Sequence, residues 1–176
     1  MSVLIVAGNT HIDGLLARRL VEQGDVVGIL VEDDGMIDHV DPGDAHVAQG
    51  SRTDEDLIER AATHARTIVV YEEAVVPTHR DIVRAVVAAA KRIEGVRVVM
   101  WGSKHSAEAV ETLSTSGLPY VVIHTGKLRG RLRRTVPFEA VVEALDAADD
   151  LAGDVHLEVD LTRDEEWARL KLEPPS

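Results

Sequence analysis

The chain has 176 residues, 45% of them hydrophobic, a formal net charge of -12 and no cysteine. That length and apolar content predict a single domain over residues 1–176 with one continuous core, and the lack of cysteine excludes disulfides, thiolate metal sites and cysteine nucleophiles. The acidic balance opposes nucleic acid and anionic membranes as partners, and with no apolar run near about 20 residues and no basic, long-cored leader the expectation is a soluble, cytoplasmic protein.

In chain order, short runs rich in Val, Ile and Leu predict strands at 3–7, 26–31, 45–48, 67–71, 97–101, 120–123 and 155–161. Amphipathic segments lie between them. Ile12, Leu15, Leu16 and Leu20 recur at helical spacing, as do Ile82, Val83, Val86 and Val87. Ser51, Thr53, Asp54 and Asp56 mark one helix start, and Pro77-Thr78 before Asp81 marks another. A helix over 106–116 is punctuated by Gly117. One more is expected over 136–148, then the last strand, a short helix over 164–170 and a frayed Glu-Pro-Pro-Ser tail. Strands that read as continuous apolar runs are buried on both faces, so the fold class expected is α/β. It is a doubly wound, mostly parallel Rossmann-like sheet of about seven strands with helices on both faces.

Four strings carry a resemblance. They are "VLIVAGNTHIDGLLARRLVEQGDVVGIL" for strand, glycine turn, helix and strand; "HVAQGSRTDEDLIERA"; "VRVVMWGS"; and "AEAVETLSTSGLPYVVIHTGKLRG" for a helix, a Ser-Gly-Leu turn, a strand and the loop after it. Together, over nearly the whole chain, they resemble the atypical short-chain dehydrogenase/reductase superfamily and most closely its NmrA-like branch. The resemblance implies NAD(P) binding at the first turn through Gly8, Asn9, Thr10, His11 and Gly14, with Glu32 at the ribose.

Several positions depart from that pattern. Where relatives show Gly-x-x-Gly-x-x-Gly, this chain has Gly8-x-x-His11-x-x-Gly14, so the glycine that lets backbone approach a pyrophosphate is replaced. Asp13 adds a carboxylate near a helix N-terminus, where it either complements the helix dipole or opposes a phosphate. At about 4 Å and an effective dielectric near 20, such like charges repel by roughly 4 kcal/mol. A protonated His11 would donate toward a phosphate, so binding would improve at lower pH. Val31-Glu32-Asp33-Asp34 ends the second strand where relatives often carry an Arg. Carboxylates accept from ribose hydroxyls and repel a 2′-phosphate, so the cofactor expected is NAD in preference to NADP, or none. Gly50-Ser51-Arg52 replaces the Gly-Asp-Leu common after the third strand. Neither Tyr71 nor Tyr120 has a Lys four residues later, so the Tyr-x-x-x-Lys redox pair is missing.

Ligands of open parallel sheets bind beyond the carboxyl ends of the strands. That edge is expected to carry His11, Asp13, Glu32, Tyr71, Glu72, Trp101, Ser103, Lys104, His105, His124 and Thr125. Tyr71, Ser103 and His124 are the catalytic candidates, and no local spacing supports a metal site. After the sixth strand Lys127, Arg129 and Arg131 form a basic flap suited to an anionic ligand, or else a solvated loop or dimer contact. Little sequence follows for a separate substrate lobe, so a second copy of the chain joins a small molecule among the expected partners. Three functions stand open: a sensing or accessory protein that binds a dinucleotide weakly or another small ligand; an NAD(H)-dependent oxidoreductase; and a non-redox acid/base enzyme of isomerase or cyclase type using the strand-end histidines.

Overall fold

The computed structural model describes residues 2–6, 8, 10–32, 44–72, 76–126, 136–151 and 153–162, without the side chains of 10 and 77. Asn9, the basic flap of Lys127, Arg129 and Arg131, and the expected helix over 164–170 lie outside the described residues.

The strands are β1 Ser2–Val6, β2 Val26–Val31, β3 His46–Gln49, β4 Ala65–Tyr71, β5 Arg97–Gly102, β6 Tyr120–His124 and β7 His156–Asp160. They form one sheet of order β3-β2-β1-β4-β5-β6-β7, and every pairing is parallel. The helices among the described residues are α1 Thr10–Glu22, α2 Glu55–Ala61, α3 Pro77–Ala90, α4 Ala107–Ser114 and α5 Phe138–Asp150. The chain is thus the doubly wound α/β fold expected from its apolar runs.

Strand periodicity divides the core in two. Val3 and Ile5 of β1 pack with Ile12, Leu16 and Leu20 of α1 and with Val141 and Leu145 of α5. Leu4 and Val6 face the other way, onto Ile58 of α2, Val83 and Val86 of α3 and Leu113 of α4. Successive strand side chains point to opposite faces, so both faces need apolar residues and the strands lose the alternation of a half-exposed sheet.

Local chemistry sets the helix starts. Asp54 Oδ1 accepts the Leu57 N–H at 3.0 Å ahead of α2, and Ser106 Oγ accepts the Ala109 N–H at 3.1 Å ahead of α4. Pro77 opens α3, where its missing N–H would be unsatisfied in any case. At the other end of α5, Arg97 donates to the carbonyls of Ala148 at 3.0 Å, Asp149 at 3.1 Å and Gly153 at 3.2 Å, and also to Leu151. This buried arginine satisfies acceptors that a helix C-terminus leaves open. Among the described residues no helix is long and apolar enough to cross a membrane.

Candidate functional site

The chain leaves β1 for β2 on one side, then returns to β4 on the other. The crevice between the ends of β1 and β4 is therefore the topological switch point, where open α/β sheets take ligands.

Gly8 follows β1 and meets Tyr71 at the end of β4. A Cβ on Gly8 would stand 2.7 Å from Tyr71 Cδ1 and 2.8 Å from its Cβ, so only glycine lets the turn pass. Its N–H donates to Asp13 Oδ2 at 2.9 Å. Asp13 is 1% exposed. The carboxylate expected beside a phosphate is thus turned into the loop, where it accepts from the Gly8 backbone and sits in the first turn of α1. His11 stays exposed, with its ring edge-on to Phe138 at 4.9 Å between centroids. Gly14 is buried within α1, and Thr10 begins that helix.

At the end of β2 the exposed Glu32 is paired with Arg52, which follows β3. Arg52 Nη2 lies 2.7 Å and Nε 3.1 Å from Glu32 Oε2. The arginine that replaced the expected acid after β3 therefore holds the carboxylate at the neighbouring strand end.

A second group gathers on β4 to β7. Glu72 and His105 bury their side chains completely, with His105 Nδ1 3.0 Å from Glu72 Oε2. His105 Nε2 lies 3.1 Å from the Ile123 carbonyl, and Glu72 Oε2 accepts the Ser106 N–H at 3.1 Å. Gly102 makes this closeness possible, since an added Cβ would overlap the Glu72 carbonyl oxygen. The His105 ring is 4.7 Å from that of His124, whose Nε2 is hydrogen-bonded to Glu158 Oε1.

These groups border a cavity of about 610 Å³. Ser103, Lys104 and His105 from the β5 end, His124 and Gly126 from the β6 end, and Glu158, Asp160 and Thr162 from the β7 end line it. The catalytic candidates are consequently divided. Ser103 and His124 share this cavity, whereas Tyr71 packs beside Gly8 with its ring 4.7 Å from Trp101 and 5.3 Å from His79. Glu158, Asp160 and Thr162 did not figure among the expected site residues. The signal lay in the alternation His156-Leu-Glu158-Val-Asp160, which puts polar side chains on one face of a strand that had been read as an apolar run.

A larger cavity of about 860 Å³ opens at the opposite sheet edge, but its charges serve the fold. Arg66 pairs with Asp25 at 2.6 Å and with Asp149. The guanidinium holds the Asp25 carboxyl below the usual carboxylate range, and partial desolvation pushes Asp150 above it, aided by Asp146 and Asp149. Among the described residues no group of three or more His, Cys, Asp or Glu side chains is placed to hold a metal ion.

The overall fold is similar to that of several solved structures. One is ChuY, an anaerobillin reductase from Escherichia coli O157:H7, with a TM-score of 0.70 and 13% identity over 99% of each chain. The fold is Rossmann-like. The Bordetella bronchiseptica enzyme WbmH, solved in complex with NAD+, has a TM-score of 0.69 at 18% identity, covering 91% of this chain and 74% of its own. The Citrobacter sp. triphenylmethane reductase, complexed with NADP(H), has a TM-score of 0.68 at 13% identity over 92% and 70%. No family model and no curated relative matches the sequence.

Proposed function

We propose that the chain is a dinucleotide-binding Rossmann protein of the NmrA-like kind with a weakened glycine loop. It binds NAD in preference to NADP, or another small ligand in its place, as a sensed or accessory ligand and not as a hydride carrier.

The observation that carries this reading is the hydrogen bond from Gly8 N–H to Asp13 Oδ2. Loops of this kind hold a pyrophosphate with backbone N–H groups and the positive end of the helix. Here one donor is engaged by a carboxylate of the chain itself, and the same carboxylate offsets the dipole of α1.

The adenosine end fits a nucleotide better. Glu32 is exposed at the β2 end with a carboxylate suited to ribose hydroxyls, and its pairing with Arg52 keeps that side chain in place. The residues that would hold the group are Gly8, Asn9, Thr10, His11, Gly14 and Glu32. A nicotinamide would supply hydride transfer, but the chain has no Tyr-x-x-x-Lys pair to move the accompanying proton. The structural neighbours solved with NAD+ and NADP(H) support the choice of ligand class.

Calorimetric titration with NADH and NADPH at pH 6 and pH 8 tests the proposal. The expected result is binding in the range of tens of micromolar or weaker, tighter for NADH and tighter at the lower pH. Submicromolar binding, or a preference for NADPH, overturns it.

A further inference from the structure

His124 closes β6 beside the cavity of about 610 Å³, and its ring is held from two sides. The His105 ring lies 4.7 Å away on one side, and on another Nε2 is bonded to Glu158 Oε1. His105 is itself immobilised by Glu72 and by the Ile123 carbonyl. A neutral imidazole has one N–H, and a carboxylate only accepts, so the proton of His124 resides on Nε2. The lone pair is then on Nδ1, which has no hydrogen-bond partner among the described residues. A carboxylate that fixes one nitrogen of an imidazole and leaves the other as a base is the arrangement by which general-base histidines are oriented.

The lining indicates what such a base would act on. Apart from Gly126, each described residue around the cavity presents a polar or charged group. Among the described residues no aliphatic or aromatic hydrocarbon side chain lines it, which favours a polar ligand over a lipid-like one. Among the described residues the ammonium of Lys104 is accompanied by the carboxylates of Glu158 and Asp160, so these side chains offer a phosphate or dicarboxylate no net positive charge. Donors and acceptors side by side match a small, uncharged molecule bearing several hydroxyls.

We propose that His124 is the general base of an acid–base site, that Glu158 is its positioning residue, and that the substrate is a small neutral hydroxycarbonyl compound. Nδ1 takes a proton from the hydroxyl-bearing carbon next to the carbonyl. That C–H bond breaks, its electron pair forms the carbon–carbon double bond, and the carbonyl pair moves to oxygen, where Lys104 opposes the developing charge. Return of the proton from Nδ1 to the former carbonyl carbon, with the two oxygens exchanging a proton with water, gives the isomeric hydroxycarbonyl. No oxidant or reductant is consumed, and no nucleotide is required.

The test incubates the full chain in D₂O with dihydroxyacetone and with glyceraldehyde, without nucleotide, and follows proton exchange and interconversion by NMR. The rate expected is at least about a hundredfold above that of equimolar imidazole. His124→Gln should reduce it to that background. Glu158→Gln, an exposed substitution that leaves the core untouched, should give an intermediate rate, and Glu158→Asp should restore part of it. Nitrogen-15 spectra should show His124 protonated at Nε2 in the native chain and a mixture of tautomers in Glu158→Gln. A native rate no faster than that of His124→Gln overturns the site, and an unchanged rate and tautomer in Glu158→Gln overturns the role of Glu158. Either failure leaves the glycine-loop reading standing, because that reading is measured by nucleotide titration.

Discussion

His105 Nδ1 and Glu72 Oε2 lie 3.0 Å apart with neither side chain reaching solvent. The Ile123 carbonyl opposite Nε2 requires a proton on that nitrogen, so one further proton is shared between Nδ1 and the carboxylate. Removing either partner strands the other in the interior. His105→Ala and Glu72→Ala should each cost about 3–5 kcal/mol in urea unfolding, and the double variant should cost clearly less than the two added. Full additivity would show that the two side chains do not stabilise each other.

Asp13 is expected to limit nucleotide affinity through its charge, not its shape. Asp13→Asn keeps an oxygen for the Gly8 N–H and removes the carboxylate beside the α1 terminus. NADH binding by calorimetry should tighten about tenfold or more, equivalent to about 1.4 kcal/mol. Unchanged or weaker binding would separate Asp13 from the phosphate site.

Glu32 and Arg52 together should govern the choice of dinucleotide. In the native chain the guanidinium is engaged by Glu32. Glu32→Ala removes this carboxylate from the guanidinium and withdraws the acceptor for ribose hydroxyls, so the ratio of NADPH to NADH affinity should rise by about tenfold or more. The comparison is of two titrations on one variant, which cancels any general change in the loop.

Asp150 should be a liability at neutral pH. Partial desolvation, then Asp146 and Asp149, raise its folded-state pKa above the ordinary 3.8, against the pull of Arg66. A folded state that holds the proton more tightly loses stability as pH rises through that interval, and the loss persists above it. Asp150→Asn should therefore melt higher than the native chain at pH 7, with the gain disappearing below about pH 4. Asp25 has the opposite sign. Its hydrogen bond to Arg66 depresses its pKa, so its contribution is present above the ordinary carboxylate range and is lost as acid protonates it.

The architecture was legible because burial on both faces leaves a compositional mark. Val3 to Val6 and Val98 to Trp101 carry apolar side chains on both faces, and such runs separated by helical periods have few ways to pack other than a parallel sheet. The strand ends came out within a residue or two, as in 155–161 expected against His156–Asp160 found. The helix start expected among Ser51, Thr53 and Asp54 proved to be capped by Asp54.

The site was legible only in part. Gly8, His11, Glu32, His105 and His124 were all placed at the correct edge, since strand ends can be read from local sequence. Their partners could not be. Glu32 meets Arg52 across 20 residues, Glu72 meets His105 across 33, and His124 meets Glu158 across 34. Local composition decides which segments become strands and which residues end them, because burial and periodicity act over a few residues. Which ends become neighbours depends on strand order, and strand order follows from how the whole chain closes its two apolar faces. The inward turn of Asp13 onto Gly8 and the meeting of His124 with Glu158 are consequences of that closure.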